Sequence, residues 1–179
     1  MKEELNLQCP YKVFKDKDTS IYSFITKNEI EYKIIFTEIT ETFNGTTTGN
    51  SIKKIFDLTI EKVSKETEPF DPDTGKTINK IAEEFFRDKD NSIFYICEHT
   101  DKKQKIRSDT FRKWGDKISK EVTVNHFQRD YKVNYISENH LQYSGIIYHS
   151  ENIYSKSITV AYNELIDYWD DRIDNDLKE

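Results

Sequence analysis

Apolar and polar residues alternate over several short stretches in the first third of the chain. Ile21–Thr26 and Ile30–Phe36 both show this period of two, and the polar residues between them predict a β-hairpin. A short alternation at Tyr11–Phe14 is compatible with another strand before the hairpin. A third clear strand is expected at Ile55–Val63, beyond a polar loop at Phe43–Asn50. Strands with one apolar face are typical of an antiparallel sheet that leaves its other face in water.

The period changes to that of a helix after the Pro- and Gly-rich turn at residues 69–75. The helix is predicted from about Lys76 to Asp88, with a buried side formed by Ile78, Ile81, Ala82, Phe85 and Phe86. Thr74 or Thr77 is the expected cap. A short apolar strand at Ile93–Cys97 and a basic, aromatic helix follow.

The last third returns to alternation and then ends in a helix. Val122–Tyr135 and Leu141–His149 predict two strands with a turn at residues 138–140, and Ser157 can cap a final amphipathic helix. The element order is therefore βββαβαββα, an α+β class with helices packed on a mostly antiparallel sheet. We expect one domain over residues 1–179, with a folded core at about 11–170 and an acidic end at 171–179.

Composition supports a folded protein and limits its chemistry. Apolar residues are only 35% of the chain, but 11 Phe, 11 Tyr and 2 Trp can each bury a large area. The N-terminus lacks the apolar run of a secretory signal, and no stretch is apolar enough to span a bilayer, so we expect no membrane partner. Two distant cysteines and four scattered histidines predict a cytoplasmic protein with reduced thiols, no metal site and no cofactor.

Charge is distributed unevenly around a net value of −6. The segment Lys102–Lys120 carries eight basic residues against two acids, and the segment Glu164–Glu179 carries seven acids against two bases. These segments can be two solvated helix faces. Alternatively, the basic segment contacts an anionic partner, with Lys103, Lys105 and Lys113 as binding residues.

Arg107 is the residue of the basic segment that most needs explanation. At about 100° per residue, it falls on the same helix face as Phe111, Trp114 and Ile118. A guanidinium buried in such a stripe costs several kcal/mol unless it is paired (~3–5 when a partner is removed). It can form a structural pair with Asp101 or Glu98, or it can bind an anion together with Gln104. A catalytic role for Asp101 or Glu98 is a third alternative.

A set of residues around this helix resembles the core signature of an uncharacterised bacterial domain family. The set comprises Tyr95-Ile96-Cys97-Glu98, Asp101, Gln104, Arg107, Phe111 and Trp114. Similar patterns elsewhere extend the resemblance from about Tyr11 to Tyr168. The family has no known activity, but the resemblance implies that Asp101, Gln104 and Arg107 belong together.

These observations favour a non-catalytic interaction or regulatory module that binds a protein partner, in a bacterial regulatory or defence-associated system. Two alternatives remain open. One is nucleic-acid association through the helix at residues 102–120, which predicts salt-sensitive binding. The other is a small-anion-binding protein or enzyme centred on Asp101, Gln104 and Arg107.

Overall fold

The computed structural model describes residues 1–64, 71–97, 103–121, 123–135 and 138–176; for residues 114, 117–121, 132–135, 138–140 and 171–176 the backbone alone is described. These residues form eight strands and three α-helices, together with two short 3₁₀ helices at Thr40–Phe43 and Gly49–Ser51. The strands are β1 (Lys2–Leu5), β2 (Val13–Asp16), β3 (Tyr22–Ile25), β4 (Glu31–Glu38), β5 (Ile55–Lys62), β6 (Ser92–Cys97), β7 (Val124–Tyr135) and β8 (Glu138–His149). The helices are α1 (Pro72–Phe85), α2 (Gln104–Glu121) and α3 (Ser155–Asp176).

The described strands form one mixed sheet in the order β1-β2-β3-β4-β5-β6-β8-β7. The first five strands form an antiparallel meander, and α1 then crosses over so that β6 lies parallel to β5. A parallel pair needs such a crossover, since a tight turn can join only antiparallel strands. β8 inserts between β6 and β7 and is antiparallel to both. The predicted α+β class and mostly antiparallel sheet are confirmed.

Helices cover both faces of this sheet. α1 and α2 pack on one face, where Phe85 at the end of α1 and Phe86 directly after it meet Ile93 and Tyr95 of β6. α3 packs on the opposite face, where its buried side meets apolar residues of β6, β7 and β8. This second face remains uncovered over β3 to β5, where Ile25 is 59% exposed. The core therefore has two layers, and the cover is incomplete on one side.

The start of α1 shows how local sequence sets an element boundary. Asp71 is the N-cap, and its carboxylate accepts a hydrogen bond from the backbone N–H of Asp73. Pro72 occupies the first helical position, where its missing N–H costs nothing. The helix therefore begins earlier than predicted, and Thr77 is buried inside it rather than acting as the cap. Tyr11 donates a 2.5 Å hydrogen bond to Asp71 and so fastens the N-terminal segment to this helix.

Several other boundaries differ from the prediction. The N-terminal residues add an extra edge strand, β1, because they pair with β2. The predicted polar loop at residues 43–50 contains a fully buried Phe43, which joins the core beneath α3. β8 begins at Glu138, so the turn expected at residues 138–140 was wrong, since these residues already pair with β7.

Within the described residues, no helix is both long enough and apolar enough to cross a membrane.

Candidate functional site

The predicted binding residues lie in the first three turns of α2 and just before it in the sequence. Asp101 and Glu98 lie outside the described residues, so the proposed ion pair with Arg107 stays a prediction. Gln104 is half-buried, and among the described residues its side-chain Oε1 atom has no hydrogen-bond partner. Arg107 is half-buried and lines a cleft, which Gln104 does not. Gln104 and Arg107 are three residues apart and therefore neighbours on α2, so a shared anion site at these two residues stays a prediction.

The cleft lies where β5 and β6 separate. Their parallel pairing covers three residue pairs and ends at Asp57 and Phe94, although both strands continue beyond that point. The first half of α2 forms a further wall. The resulting cavity has a volume of about 770 Å³, within the range of ligand sites. Its lining residues are Asp57, Leu58, Thr59, Ile60, Tyr95, Ile96, Ile106, Arg107, Thr110, Phe111 and Gln142.

Backbone hydrogen-bonding groups of both strands face this cleft. The carbonyl of Ile55 accepts from Ile39 and the N–H of Val63 donates to Glu31, so odd-numbered residues of β5 point their backbone toward β4. Because the backbone groups of successive residues face opposite edges of a strand, the N–H and C=O groups of Leu58 and Ile60 face β6. On β6, the backbone N–H of Ser92 donates to the carbonyl of Lys54, which directly precedes β5. By the same alternation, the N–H and C=O groups of Ile96 face β5.

Beyond the last paired residues, some of these backbone groups have no partner within the described part of the chain. Among the described residues, neither strand ladders nor other backbone bonds give a partner to the cleft-facing groups of Ile60 and Ile96. Backbone N–H and C=O groups in a folded protein are nearly always bonded to protein or to water. The cleft therefore presents two unfilled strand edges inside a sheet, where such edges are normally paired.

The electrostatics of the cleft differ between its two ends. Asp57 lies at the closed end, and burial raises the pKa of its carboxyl, while a 3.0 Å hydrogen bond from the Thr59 hydroxyl partly opposes this shift. Arg107 projects from α2, and its charge acts on Cys97 at the end of β6. Burial dominates there and raises the pKa of the Cys97 thiol to about 11. This thiol is therefore protonated at neutral pH and a poor nucleophile.

A partly buried polar network holds α2 against the sheet behind the cleft. The hydroxyl of Tyr95 lies 2.8 Å from Nε2 of His126 and accepts a 2.6 Å hydrogen bond from Gln128. Gln128 also donates to the backbone carbonyl of Ser108 on α2, at 2.9 Å. The ring of Phe111 stacks on Tyr95, with 4.0 Å between ring centroids. These contacts join β6, β7 and α2, so they fix the distance between the cleft's walls.

Two glycines provide the space for this network. A Cβ at Gly115 of α2 would lie 2.5 Å from Nδ1 of His126, and a Cβ at Gly145 of β8 would overlap the ring and hydroxyl of Tyr95. Neither glycine has a positive φ angle, so the backbone conformation does not require glycine. Gly115 weakens the helix locally, but its hydrogen atom is what allows His126 to fit.

The exposed face of α2 carries both signs of charge. Lys103, Lys105 and Lys113, the predicted binding residues, are exposed, and their role in binding stays a prediction. However, Asp109 and Asp116 share that face, and Asp109 pairs with Arg112 at 3.3 Å. Interleaved acids reduce the attraction of a helix for a polyanion. The face has the mixed character of a solvated surface or of a protein contact.

Sequence reasoning missed Asp57 and Thr59, which share the cleft with Arg107. Because they alternate with Phe56, Leu58 and Ile60, Asp57 and Thr59 were assigned to the solvent-facing side of a strand, and they do lie on the more polar face of β5. The signal that could have found them is indirect. Asp57 occurs on the strand that precedes the α1 crossover, and ligand sites often lie at the carboxyl ends of parallel strands.

Comparison with known proteins relates the C-terminal part of this arrangement to a family. A family model described as a family of unknown function, DUF6169, matches residues 70–164, just over half of the chain. The chain belongs to DUF6169. The DUF6169 match includes α1, β6, α2, β7, β8 and the first half of α3. It is shorter than the family resemblance expected from the sequence, which extended over about residues 11–168. It contains Arg107, whereas β5 with Asp57 lies outside it. No curated protein and no solved structure matches the chain.

Proposed function

We propose that this chain is a non-catalytic, cytoplasmic interaction module of a bacterial regulatory system, and that it binds a partner protein by taking up an extended segment of that partner in the cleft. The observation that carries this proposal is the pair of open strand edges at Ile60 and Ile96. An extended segment can form main-chain hydrogen bonds with such edges, as it does in known cases of β-strand addition.

The dimensions of the cleft limit the length of the segment. Its β5 wall runs from Asp57 to Ile60, which at about 3.3 Å per residue spans roughly 10 Å. Three or four residues of a partner therefore fit between the walls. So small a contact buries less surface than a stable complex (below ~1,200 Å²) and is typical of a transient, regulated one.

The side chains around the cleft suit a peptide with apolar residues. Ile106 is 65% exposed at the rim, and Ile96 and Phe111 line the interior. Apolar residues that lie together at an exposed groove mark interaction sites more often than single exposed apolar residues do. A strand of alternating residues would place every second side chain against these surfaces, which gives specificity as well as affinity.

A selection from a displayed library of random 12-residue peptides tests this proposal. The blocking variant is Thr110→Trp, which fills the cleft from α2, and its matched control is Val160→Trp, at an exposed position on α3 across the sheet. We expect peptides that bind the wild type and the control but not the blocked variant. N-methylation along a selected peptide should weaken binding about 2- to 12-fold, and only at alternate residues, since one net hydrogen bond contributes ~0.5–1.5 kcal/mol.

Two results would contradict strand uptake. In the first, no selected peptide is excluded by Thr110→Trp, or the N-methylation losses do not alternate. In the second, the protein binds single-stranded oligonucleotides with strong salt dependence, unaffected by Thr110→Trp but abolished when Lys103, Lys105 and Lys113 are changed to Glu. That outcome would favour the nucleic-acid alternative instead.

A further inference from the structure

Asp57 occupies the closed end of the cleft, at the point where β5 and β6 part. It is the last β5 residue in register with β6, opposite Phe94. Two residues earlier Ile55 is completely buried, and two residues later Thr59 is exposed. Asp57 therefore lies at the boundary between the core and the open cleft, and its carboxyl is half-buried there.

The carboxyl of Asp57 lacks a cation within the described part of the chain. Its one hydrogen bond among those residues comes from the neutral Thr59 hydroxyl. Two other acids do have cations: the buried Asp71 lies 3.5 Å from Lys27, and the half-buried Glu83 lies 2.6 Å from Lys80. A half-buried carboxylate is normally paired or heavily hydrogen-bonded, because burial removes its hydration. Asp57 thus retains binding capacity that the described residues do not use.

We infer that the segment bound in the cleft carries a lysine or arginine side chain that pairs with Asp57. This inference rests on the proposed strand uptake, because an extended segment between β5 and β6 would bring one side chain to the closed end.

The overall charge agrees with a basic segment. The chain has a net charge of −6, which attracts a positively charged partner over long range and raises its association rate. Burial raises the pKa of the Asp57 carboxyl when the cleft is empty. A cation placed beside it would reverse this shift, since an opposite charge favours the ionised carboxylate. Binding and ionisation of Asp57 should therefore reinforce each other.

The test uses the peptides that Thr110→Trp excludes, N-acetylated so that a free amino terminus cannot supply the charge. We expect Lys or Arg at one fixed position relative to the N-methylation pattern. Asp57→Asn, which keeps the shape of the side chain, should weaken these peptides by about tenfold or more, as expected for a hydrogen bond to a charged group. Replacing the peptide's Lys by norleucine should cost the same factor in the wild type and little in Asp57→Asn.

Glu61→Gln is the matched control, because Glu61 is an exposed acid on the same strand and the same sheet face but does not line the cleft. The affinity of Glu61→Gln for the selected peptides should stay within about twofold of that of the wild type. A thermal melt should show that Asp57→Asn and Glu61→Gln are both folded. Cleft-binding peptides without a fixed Lys or Arg would overturn the cation inference and leave strand uptake intact. Equal binding by Asp57→Asn and the wild type would overturn it as well. If Thr110→Trp excludes no peptide, the proposed function fails and the cation inference fails with it.

Discussion

Gly115→Ala is a substitution for which local and tertiary effects have opposite signs. Gly115 lies in the interior of α2, where alanine is favoured over glycine by about 1 kcal/mol. Helix propensity alone therefore predicts stabilisation. The structure predicts the reverse, because the added Cβ would lie 2.5 Å from Nδ1 and 3.1 Å from Cγ of His126. Separations between non-bonded heavy atoms are normally about 3.5–4.0 Å, so the ring or the helix must move.

The net effect can be assembled from three contributions. Forcing a methyl group into this packed contact costs about 1–3 kcal/mol. Displacing His126 also breaks its 2.8 Å hydrogen bond with Tyr95, at about 1 kcal/mol. The gain in helix propensity offsets about 1 kcal/mol. We therefore expect Gly115→Ala to lower the free energy of unfolding by about 1–3 kcal/mol, and the melting temperature by about 3–10 °C.

A double-mutant cycle separates the steric effect from the propensity effect. Urea unfolding is measured for the wild type, Gly115→Ala, His126→Ala and the double variant, since the cycle isolates the coupling between the two positions. In the His126→Ala background the space is empty, so Gly115→Ala should stabilise the protein by up to about 1 kcal/mol. The reasoning would be refuted if Gly115→Ala stabilised the protein that retains His126, or if its penalty were the same in both backgrounds.

Three further outcomes are expected. Gly145→Ala should cost about 3 kcal/mol in urea unfolding, because its Cβ would overlap Tyr95, whose ring is stacked on Phe111 and whose hydroxyl is hydrogen-bonded to Gln128. A loss below about 1 kcal/mol would contradict this. Burial lowers the pKa of His126 from 6.5 to about 4. Between pH 6.5 and pH 4 the unfolded chain therefore binds more protons than the folded protein does. The free energy of unfolding should fall by up to about 3 kcal/mol as the pH decreases over this range. An NMR titration placing this pKa near 6.5 would disprove the burial of the ring. The hydrogen bond from Tyr11 holds the pKa of Asp71 in the folded protein below its usual value of 3.8. This hydrogen bond therefore stabilises the fold fully above pH 3.8, and the stabilisation is lost as the pH falls through the folded-state pKa of Asp71. Tyr11→Phe should therefore move acid unfolding, followed by circular dichroism, to higher pH, and an unchanged midpoint would show that the bond is unimportant.

Local sequence patterns predicted most elements, where each element buries one continuous face. The hairpin of β3 and β4 and the apolar side of α1 follow from periods of two and 3.6 residues, because a side chain's direction repeats with the backbone geometry. Phe43 shows the limit of this reasoning. It lies in a stretch rich in Asn, Gly and Thr, yet it is buried because α3, more than 100 residues later, covers it.

The candidate site was only partly visible in the sequence. Arg107 stood out because a charged residue interrupted an apolar stripe, and the structure places it in a cleft wall. Asp57 did not stand out, because an acid on the polar face of a strand is unremarkable until the neighbouring strand is known. The cleft itself depends on where the β5–β6 pairing stops, and pairing between strands about 35 residues apart in the chain has no local signal.

By itself, the sequence determined which residues alternate, which faces are apolar, where the charges concentrate and that Arg107 needs a partner. These properties depend on backbone periodicity and side-chain chemistry, which act over a few residues. Only the tertiary structure decided that β8 inserts beside β6, that β5 and β6 part at Asp57, and that Gly115 and Gly145 make room for His126 and Tyr95. Those features depend on contacts between segments far apart in the chain, which arise only when the sheet and helices pack together.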